Sequence, residues 1–281
     1  MKSKRLFIFA SYNTKNIIDE SVISYVEHLS KLGDVIFYMD NDLTDNELSK
    51  IKKFTIFSEA KRHNKYDFGS YERGFIIAKD KKILKNYDFI YFVNDSVYWL
   101  FISLLSTLDD LESKKTDAIG ISFNPHKKNY HIQTYFFGIN KKIFLSDKFY
   151  KFITDYKNSD KGLITYKFEI GFTRFLEENK FSWCYKYSLK RKSVYNNIKK
   201  LFNINFPFLK KASFIRKHGG LGNQISYVLN KLESENKAII LNSSKISYGN
   251  NYIDWLLNKT YLTYLYRNIK HIFYKIFVEG I

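Results

Sequence analysis

Short apolar runs alternate with amphipathic stretches at the start of this chain. Residues 6–10 form a continuous apolar run, which is typical of a strand buried on both faces. Apolar residues then recur every three or four positions over 18–29, which predicts a helix that ends at Gly33. A second apolar run at 35–39 predicts another strand. Since a helix joins the two strands, we expect them to be parallel.

The same alternation continues to residue 179. It predicts further strands at 54–57, 89–93, 118–123 and 132–139, and helices at 71–84 and 166–179. We therefore predict an α/β fold in which helices flank a mostly parallel, Rossmann-type sheet. The sequence predicts a catalytic domain at 1–185, and a basic, aromatic-rich helical extension at 186–281.

Polar residues directly follow three of the predicted strands. In open parallel sheets, ligands bind beyond the carboxyl ends of the strands, so these residues are candidates for a binding site. They are Ser11 and Tyr12 after the first strand, Asp40 after the second, and Asn94, Asp95 and Ser96 after the strand at 89–93.

Five segments in a fixed order resemble the rhamnan synthesis protein F family of bacterial glycosyltransferases. The resemblance covers roughly residues 5–217. The segments are HNKYDFGS at 63–70, NDSVY at 94–98, HIQTYF at 131–136, FEIGFT at 168–173 and FPFLKK at 206–211.

This resemblance implies sugar transfer from a nucleotide-sugar donor on a fold similar to the GT-A type, with rhamnose as the namesake sugar. It also implies that the nucleotide contacts Asp67 and the neighbouring Asn64. In such folds an acidic motif usually holds a divalent cation, Mg²⁺ or Mn²⁺, on the donor's phosphates, and Asp95 stands at that position. Asp95 is a lone acid between Asn94 and Ser96, and one carboxylate binds a hard cation weakly.

Structural roles are the alternatives for these carboxylates. Asp95 could be the N-cap of a helix that starts near Val97, and Asp67 could cap a helix or fix a turn before Gly69. Asp40 could be a loop carboxylate that contacts only solvent.

An inverting transfer needs a base that accepts the proton of the acceptor hydroxyl. Glu169 is the candidate, because the aromatic segment around it could desolvate the carboxylate; the alternative is an exposed helix carboxylate. His131 and Gln133 alternate on a predicted strand and could line the acceptor site on one face. A structural histidine is the alternative for His131.

The net charge of +18 predicts an anionic partner, and residues 186–217 contain no acidic residue. Basic residues interrupt every apolar run of 252–281, so this segment predicts a helix that lies on an anionic membrane surface, or one packed on the core. The only cysteine is Cys184, which fits a reducing compartment. We expect a cytoplasmic location, peripheral at the inner face of the cell membrane.

The predicted activity is transfer of rhamnose or another hexose to a lipid-linked precursor of a cell-surface polysaccharide or lipopolysaccharide. The basic charge also permits a nucleic-acid-binding protein, but no nucleic-acid motif is present, so we expect no nucleic-acid partner. The lone acid at Asp95 leaves open a non-catalytic scaffold of a polysaccharide-assembly complex.

Overall fold

The computed structural model describes residues 3–155, 161–190, 192–258, 260–274 and 276–277. The chain divides into two compact units. Unit 1 comprises Met1–Asp95 and Leu104–Arg191, and unit 2 comprises Ser96–Ser103 and Lys192–Ile281. The short segment Ser96–Ser103, which the predicted catalytic domain contained, thus belongs to the C-terminal unit.

The described residues form ten strands. They are β1 (Arg5–Ser11), β2 (Asp34–Met39), β3 (Phe57–Ala60), β4 (Phe89–Asn94), β5 (Val97–Trp99), β6 (Ala118–Asn124), β7 (His131–Ile132), β8 (Phe136–Asn140), β9 (Trp183–Ser188) and β10 (Phe208–Lys210).

The α-helices of the described residues are α1 (Glu20–Ser30), α2 (Asp45–Lys52), α3 (Tyr66–Asp80), α4 (Leu105–Ser113), α5 (Lys141–Phe144), α6 (Asp147–Thr154), α7 (Lys161–Ile164), α8 (Gly171–Glu178), α9 (Ser193–Asn196), α10 (Ile198–Asn203), α11 (Gly222–Leu229), α12 (Ser234–Tyr248), α13 (Asn250–Leu257) and α14 (Tyr261–Tyr274). One π-helical turn, Thr165–Ile170, joins α7 to α8. Short 3₁₀ turns occur at Leu84–Asn86, Lys211–Phe214 and Arg216–Gly219.

Unit 1 is built on an eight-stranded sheet in the order β3-β2-β1-β4-β8-β6-β7, with β9 beside β6. The strands β3, β2, β1 and β4 are parallel to one another, and β9 is parallel to β6. Strand β8 runs antiparallel to both β4 and β6, and β7 runs antiparallel to β6. Helices flank this sheet. The predicted α/β fold with a mostly parallel sheet is therefore confirmed.

The core of unit 1 lies around β1, every residue of which is buried. Helix α3 lies very close to this strand because a glycine faces it. A Cβ atom on Gly74 would stand 2.4 Å from the Cγ2 atom of Ile8. This close packing fixes α3 against β1. The first turn of α3 carries Asp67 and lies near the carboxyl ends of the strands.

Three predicted elements are wrong in their bounds. The third strand is Phe57–Ala60 and not 54–57, because α2 and a turn occupy the residues before it. The following helix begins at Tyr66 and not at residue 71. The single strand predicted at 132–139 is two strands, β7 and β8, interrupted at residues 133–135.

Unit 2 has its own core, formed by helices α11–α13 and the antiparallel pair β5 and β10. Tyr98, Leu209 and Phe214 are buried there with apolar residues of these helices. The C-terminal region is helical, as predicted, but its last part is two helices, α13 and α14. Within the part of the chain that the structure describes, no helix is long and apolar enough to cross a membrane.

Candidate functional site

The carboxyl ends of β1, β2 and β4 meet at one edge of the sheet in unit 1. Their register pairs Ala10 with Asn94 and Ser11 with Met39. The residues that follow, Asp40 and Asp95, therefore lie beside Ser11 at this edge. The structure brings these predicted site residues together because parallel strands end in the same direction.

Asp95 is held by the loop that follows β1. Its Oδ2 atom accepts a hydrogen bond from the Ser11 hydroxyl (2.8 Å) and one from the backbone N–H of Tyr12 (3.3 Å). The residues after it form β5, so the prediction that Asp95 caps a helix is wrong. Ser96 belongs to unit 2, where its hydroxyl lies 3.1 Å from the Lys210 ammonium that donates to it.

Asp67 and Asn94 form a direct contact between α3 and β4. The buried Asn94 amide donates to Asp67 Oδ2 at 2.7 Å. Asp67 lies in the first turn of α3, and the N-cap residue is Lys65, so Asp67 is not the cap. A carboxylate in the first helical turn is stabilised by the backbone N–H groups there, whatever its further role.

Asp40 organises the loop between β3 and α3. Its Oδ1 atom accepts from the backbone N–H groups of His63 (2.6 Å) and Asn64 (3.0 Å). Asp40 is buried, so the alternative of a carboxylate that contacts only solvent is wrong. Asn64 is exposed and has a φ of 57°, a conformation that asparagine tolerates better than most residues.

Arg62 is a candidate that the sequence reasoning missed. Its Nη1 atom donates to the backbone carbonyl of Asp40 at 2.6 Å. The guanidinium carbon lies 4.8 Å from the centre of the exposed Tyr12 ring, within the range of a cation–π contact. Lys61, Arg62 and His63 directly follow β3, but the strand predicted at 54–57 concealed that signal. This edge of the sheet therefore carries a cation as well as carboxylates.

His63 is a buried member of the same loop. Its Nε2 atom lies 3.0 Å from the Ser70 hydroxyl, and its Nδ1 atom lies 3.6 Å from Asp40 Oδ2. Burial lowers the pKa of His63 more than the nearby Asp40 carboxylate raises it. The imidazole is therefore neutral at pH 7 and serves as a packing and hydrogen-bonding group.

Glu169 and His131 are adjacent. Glu169 lies in the π-helical turn, and its Oε1 atom is 3.9 Å from His131 Nε2. The Nδ1 atom of His131 lies 2.8 Å from the Asn129 carbonyl, which only a protonated Nδ1 can contact as a donor. In the neutral ring, Nε2 is then the unprotonated nitrogen that faces Glu169. The Glu169 side chain is 36% exposed, so it is reachable from solvent.

Two packing contacts fix this pair. The ring of Phe168 stacks on Phe68 of α3 with centroids 5.1 Å apart, next to Asp67. The Thr173 hydroxyl accepts from the backbone N–H of Ile132 at 2.9 Å, which ties α8 to β7. Single π-helical turns occur frequently at functional sites.

Gln133 lies after β7, in the interruption before β8. Its Oε1 atom accepts from the Ser122 hydroxyl at 2.8 Å, and Ser122 also contacts the Tyr135 hydroxyl at 2.5 Å. Gln133 is buried, and its side-chain oxygen belongs to this network. His131 and Gln133 therefore do not alternate along one strand as predicted.

The carboxylates do not form a metal cage. In the described ranges, no group of three or more His, Cys, Asp or Glu residues is placed to hold a metal ion. One carboxylate fits a different arrangement, in which Mg²⁺ or Mn²⁺ keeps several waters and is bound mainly by substrate phosphates. Asp95 fits that arrangement and does not fit a cation held by protein groups alone.

Three known proteins illustrate what the chain is similar to. It is 23% identical over 151 residues to the uncharacterized protein y4gN of Sinorhizobium fredii, and these residues make up 52% of this chain and 39% of that protein. The chain thus spans about two fifths of the length of the curated relative that it matches.

Two solved structures are also similar to this chain. A protein described as a nucleotide-diphospho-sugar transferase of Desulfovibrio desulfuricans has 11% identity and a TM-score of 0.44, with 87% of this chain and 96% of that chain covered. Core-mannan synthase A of Aspergillus fumigatus, in an Mn/GDP form, has 11% identity and a TM-score of 0.38, with coverage of 62% and 69%.

The family model described as rhamnan synthesis protein F matches residues 35–279. The match includes Asp40, Asp67, Asp95 and Glu169, and it extends through unit 2, beyond the point at residue 217 where the resemblance of the motifs ended. Ser11 and Tyr12 precede it. Because the match covers most of the chain, this protein belongs to the rhamnan synthesis protein F family.

Proposed function

We propose that this chain is a glycosyltransferase that uses a nucleotide-diphospho-sugar donor. The observation that carries the proposal is the polar cluster at the carboxyl edge of β1, β2 and β4, in a member of this family. The finer part of the proposal is the transfer of rhamnose or another hexose to a lipid-linked precursor of cell-surface polysaccharide or lipopolysaccharide.

The loops after β1 and β3 are proposed to bind the donor. Tyr12 is exposed and presents an aromatic face, while the Arg62 guanidinium beside it provides positive charge. Guanidinium groups bind phosphate oxygens through strong, charge-assisted hydrogen bonds. Asp40 holds the backbone of this loop in place, and the exposed Asn64 presents its side chain there. Arg62 is thus assigned to the phosphates of the donor.

Asp95 is proposed to face the diphosphate. A divalent cation, when bound, would neutralise charge on the leaving nucleoside diphosphate. The hydrogen bonds from Ser11 and Tyr12 orient one oxygen of Asp95, so the carboxylate is held before any ligand arrives. Asp67 holds the Asn94 amide in the neighbouring position.

Glu169 and His131 are proposed to act on the acceptor. As the glycosidic bond forms, the acceptor hydroxyl must lose its proton, and Glu169 or the Nε2 atom of His131 can accept it. The two groups are 3.9 Å apart, so a proton accepted by one is stabilised by the other. Inversion at the sugar carbon is part of this proposal.

The positive charge of the chain supports the proposed lipid-linked acceptor and the proposed membrane location. The net charge is +18, and the stretch 186–217 has no acidic residue. Such a surface attracts anionic lipid headgroups by roughly 1 kcal/mol per nearby cation. A peripheral position at the inner face of the membrane would give the enzyme access to a lipid-linked acceptor.

Nucleotide binding tests the donor assignment. The protein is titrated with the common nucleoside diphosphates, and its thermal unfolding is followed with and without Mn²⁺. Ligand at 100 times its dissociation constant stabilises a protein by roughly 2.7 kcal/mol. We expect the nucleoside diphosphate of one base to raise the unfolding temperature of the protein, and to raise it further when Mn²⁺ is present. No stabilisation by any nucleoside diphosphate would contradict the proposed donor class.

A further inference from the structure

Helix α14 presents its apolar side chains to the outside. Exposed positions of α14 carry large aliphatic or aromatic side chains, and no exposed residue of the helix is charged. Leu262 is 77% exposed, and Ile269 and Ile272 are each 56% exposed. The exposed residues are Tyr261, Leu262, Tyr264, Leu265, Tyr266, Ile269, Ile272 and Phe273, and Ile276 and Phe277 continue the surface. We call this set the apolar face of α14.

The buried side of α14 is polar. Arg267 is its buried residue, and it donates to the backbone carbonyls of Leu256 and Asn258 at the end of α13. Its Nε atom donates to Asn223 Oδ1 at 3.0 Å, and Asn268 accepts from the Asn223 amide at 2.8 Å. Carbonyls at a helix C-terminus are natural partners of a cation. The helix is therefore attached to the rest of unit 2 by polar contacts, which leave the apolar face uncovered.

Such a face is unfavourable in water. Burial of a large apolar side chain away from water is favourable, so ten exposed ones form a strong driving force for burial. Contiguous apolar surface of this kind marks an interaction site. Its composition favours lipid: three tyrosines combine an apolar ring with a polar hydroxyl, which suits the headgroup boundary.

The charge and the length of α14 also agree with binding to a lipid surface. The half-buried Lys270 lies beside the Tyr266 ring, and its flexible side chain can keep the ammonium in the headgroup region. The 14 residues of α14 span only about 21 Å, less than the ~30 Å of a hydrocarbon core. A helix of this length lies in the interface and does not cross it.

We propose that α14 is the element that inserts into the membrane interface, with its apolar face among the lipid acyl chains and Arg267 holding it on unit 2. This inference rests on the proposed membrane location and names the residues responsible. The apolar contribution to membrane binding is assigned to α14, separately from the contribution of the basic residues of 186–217.

The structure also directs the choice of variant. Removal of everything after residue 217 would take away α11–α13 and expose Tyr98, Leu209 and Phe214 of the unit 2 core. Point changes on the apolar face avoid this damage, because the side chains that they replace are already exposed. The test variant is I269E/I272E. The matched control is I56E/I246E, which changes two other exposed isoleucines, both outside residues 186–217, in the same way.

The experiment is flotation of the full-length protein with vesicles of phosphatidylcholine, alone or mixed with phosphatidylglycerol. We expect the wild type and the control to bind the anionic vesicles, and the test variant to bind roughly tenfold more weakly or worse. Sedimentation without lipid measures the oligomeric state of all three, and thermal unfolding confirms that each is folded.

Three results would overturn the inference. If I269E/I272E binds vesicles as strongly as the control, α14 is not the inserting element. If the wild type is a dimer that this variant dissociates, a second copy covers the apolar face. If the wild type binds neither kind of vesicle, the membrane location fails too, whereas nucleotide binding by the same samples would still support the proposed transferase.

Discussion

At the residue scale, Asp95 has a structural role and a proposed chemical role. Its Oδ2 atom accepts two hydrogen bonds from the loop after β1, so the same carboxylate that would meet the diphosphate also shapes that loop. Substitution by asparagine separates these roles. An amide oxygen can still accept from Ser11 and Tyr12, but the negative charge is lost.

We therefore expect D95N to fold with a change in stability below about 1 kcal/mol. Loss of charge on a cation-binding carboxylate should lower kcat by roughly a hundredfold, since such groups contribute several kcal/mol to transition-state stabilisation. Calorimetry should detect Mn²⁺ uptake by the wild type only with a nucleoside diphosphate present. D45N is the control, because it makes the same change at an exposed aspartate of α2. Wild-type turnover in D95N would assign Asp95 a structural role.

Arg62 gives a second test at this scale. Loss of a charge-assisted contact to phosphate should weaken binding of the nucleoside diphosphate by roughly tenfold in R62M. K61M removes the neighbouring exposed cation and should change the dissociation constant by less than about twofold. Titration calorimetry compares the two variants. Equal effects would mean that only the net charge of the loop matters.

At the element scale, the π-helical turn presents Glu169 to His131 while Phe168 packs into the core. If Glu169 accepts the acceptor proton, E169Q should lower kcat by roughly 10²–10⁴ and leave the affinity for the nucleoside diphosphate unchanged. E178Q changes an exposed glutamate of α8 and should keep full activity. A normal kcat in E169Q would remove Glu169 from the reaction.

His28 lies in the last turn of α1 and contacts the start of α4, and its protonation is linked to folding. His28 Nε2 accepts from the backbone N–H of Leu104 at 3.4 Å, and burial, with help from Lys31, lowers the pKa of His28 to about 4. Between pH ~6.5 and ~4 the unfolded chain takes up a proton that the folded chain does not, so the free energy of unfolding falls as pH falls through this window.

The contribution of His28 should reach at most about 3 kcal/mol. H28Q should flatten the pH dependence of urea unfolding over this window, although His63, whose pKa burial also lowers, keeps part of the slope. H126Q, which replaces an exposed histidine, is the matched control. An identical slope in H28Q and the wild type would show that His28 is not neutral in the fold.

The sequence predicts elements best where burial is continuous. β1, β2 and β4 are nearly fully buried apolar runs, and their positions and polar ends are as predicted. β3 is an edge strand of half-buried residues, FSEA, that is defined by backbone pairing with β2, so the more apolar segment before it misled the prediction. Because β3 was misplaced, Arg62 was not recognised at a strand end.

Other features depend on contacts between residues far apart in the sequence. Asp95 is followed by a strand because residues 97–99 pair with Phe208–Lys210, which local pattern cannot reveal. The approach of Glu169 to His131 depends on the packing of α8 against β7 and on the interruption of the strand predicted at 132–139. The sequence predicts Glu169 and His131 as separate site residues, but only the folded structure shows that they are adjacent.

At the scale of the whole molecule, the two units carry different kinds of feature. Unit 1 contains the clustered polar residues at the sheet edge, and unit 2 contains the helices of the basic C-terminal region and the apolar face of α14. This division fits an enzyme whose donor chemistry and membrane attachment reside in separate parts of the chain. Variants of one unit should leave the function of the other intact.

We propose that the polar sheet edge of unit 1 activates a nucleotide-diphospho-sugar. The most direct measurement is the slow hydrolysis of a panel of nucleotide sugars by purified protein without acceptor, followed by NMR of the sugar anomeric proton. We predict that one donor is hydrolysed by the wild type and by D45N, and far more slowly by D95N. Hydrolysis of no donor, or equal rates in the wild type and D95N, would contradict this proposed role of the sheet edge.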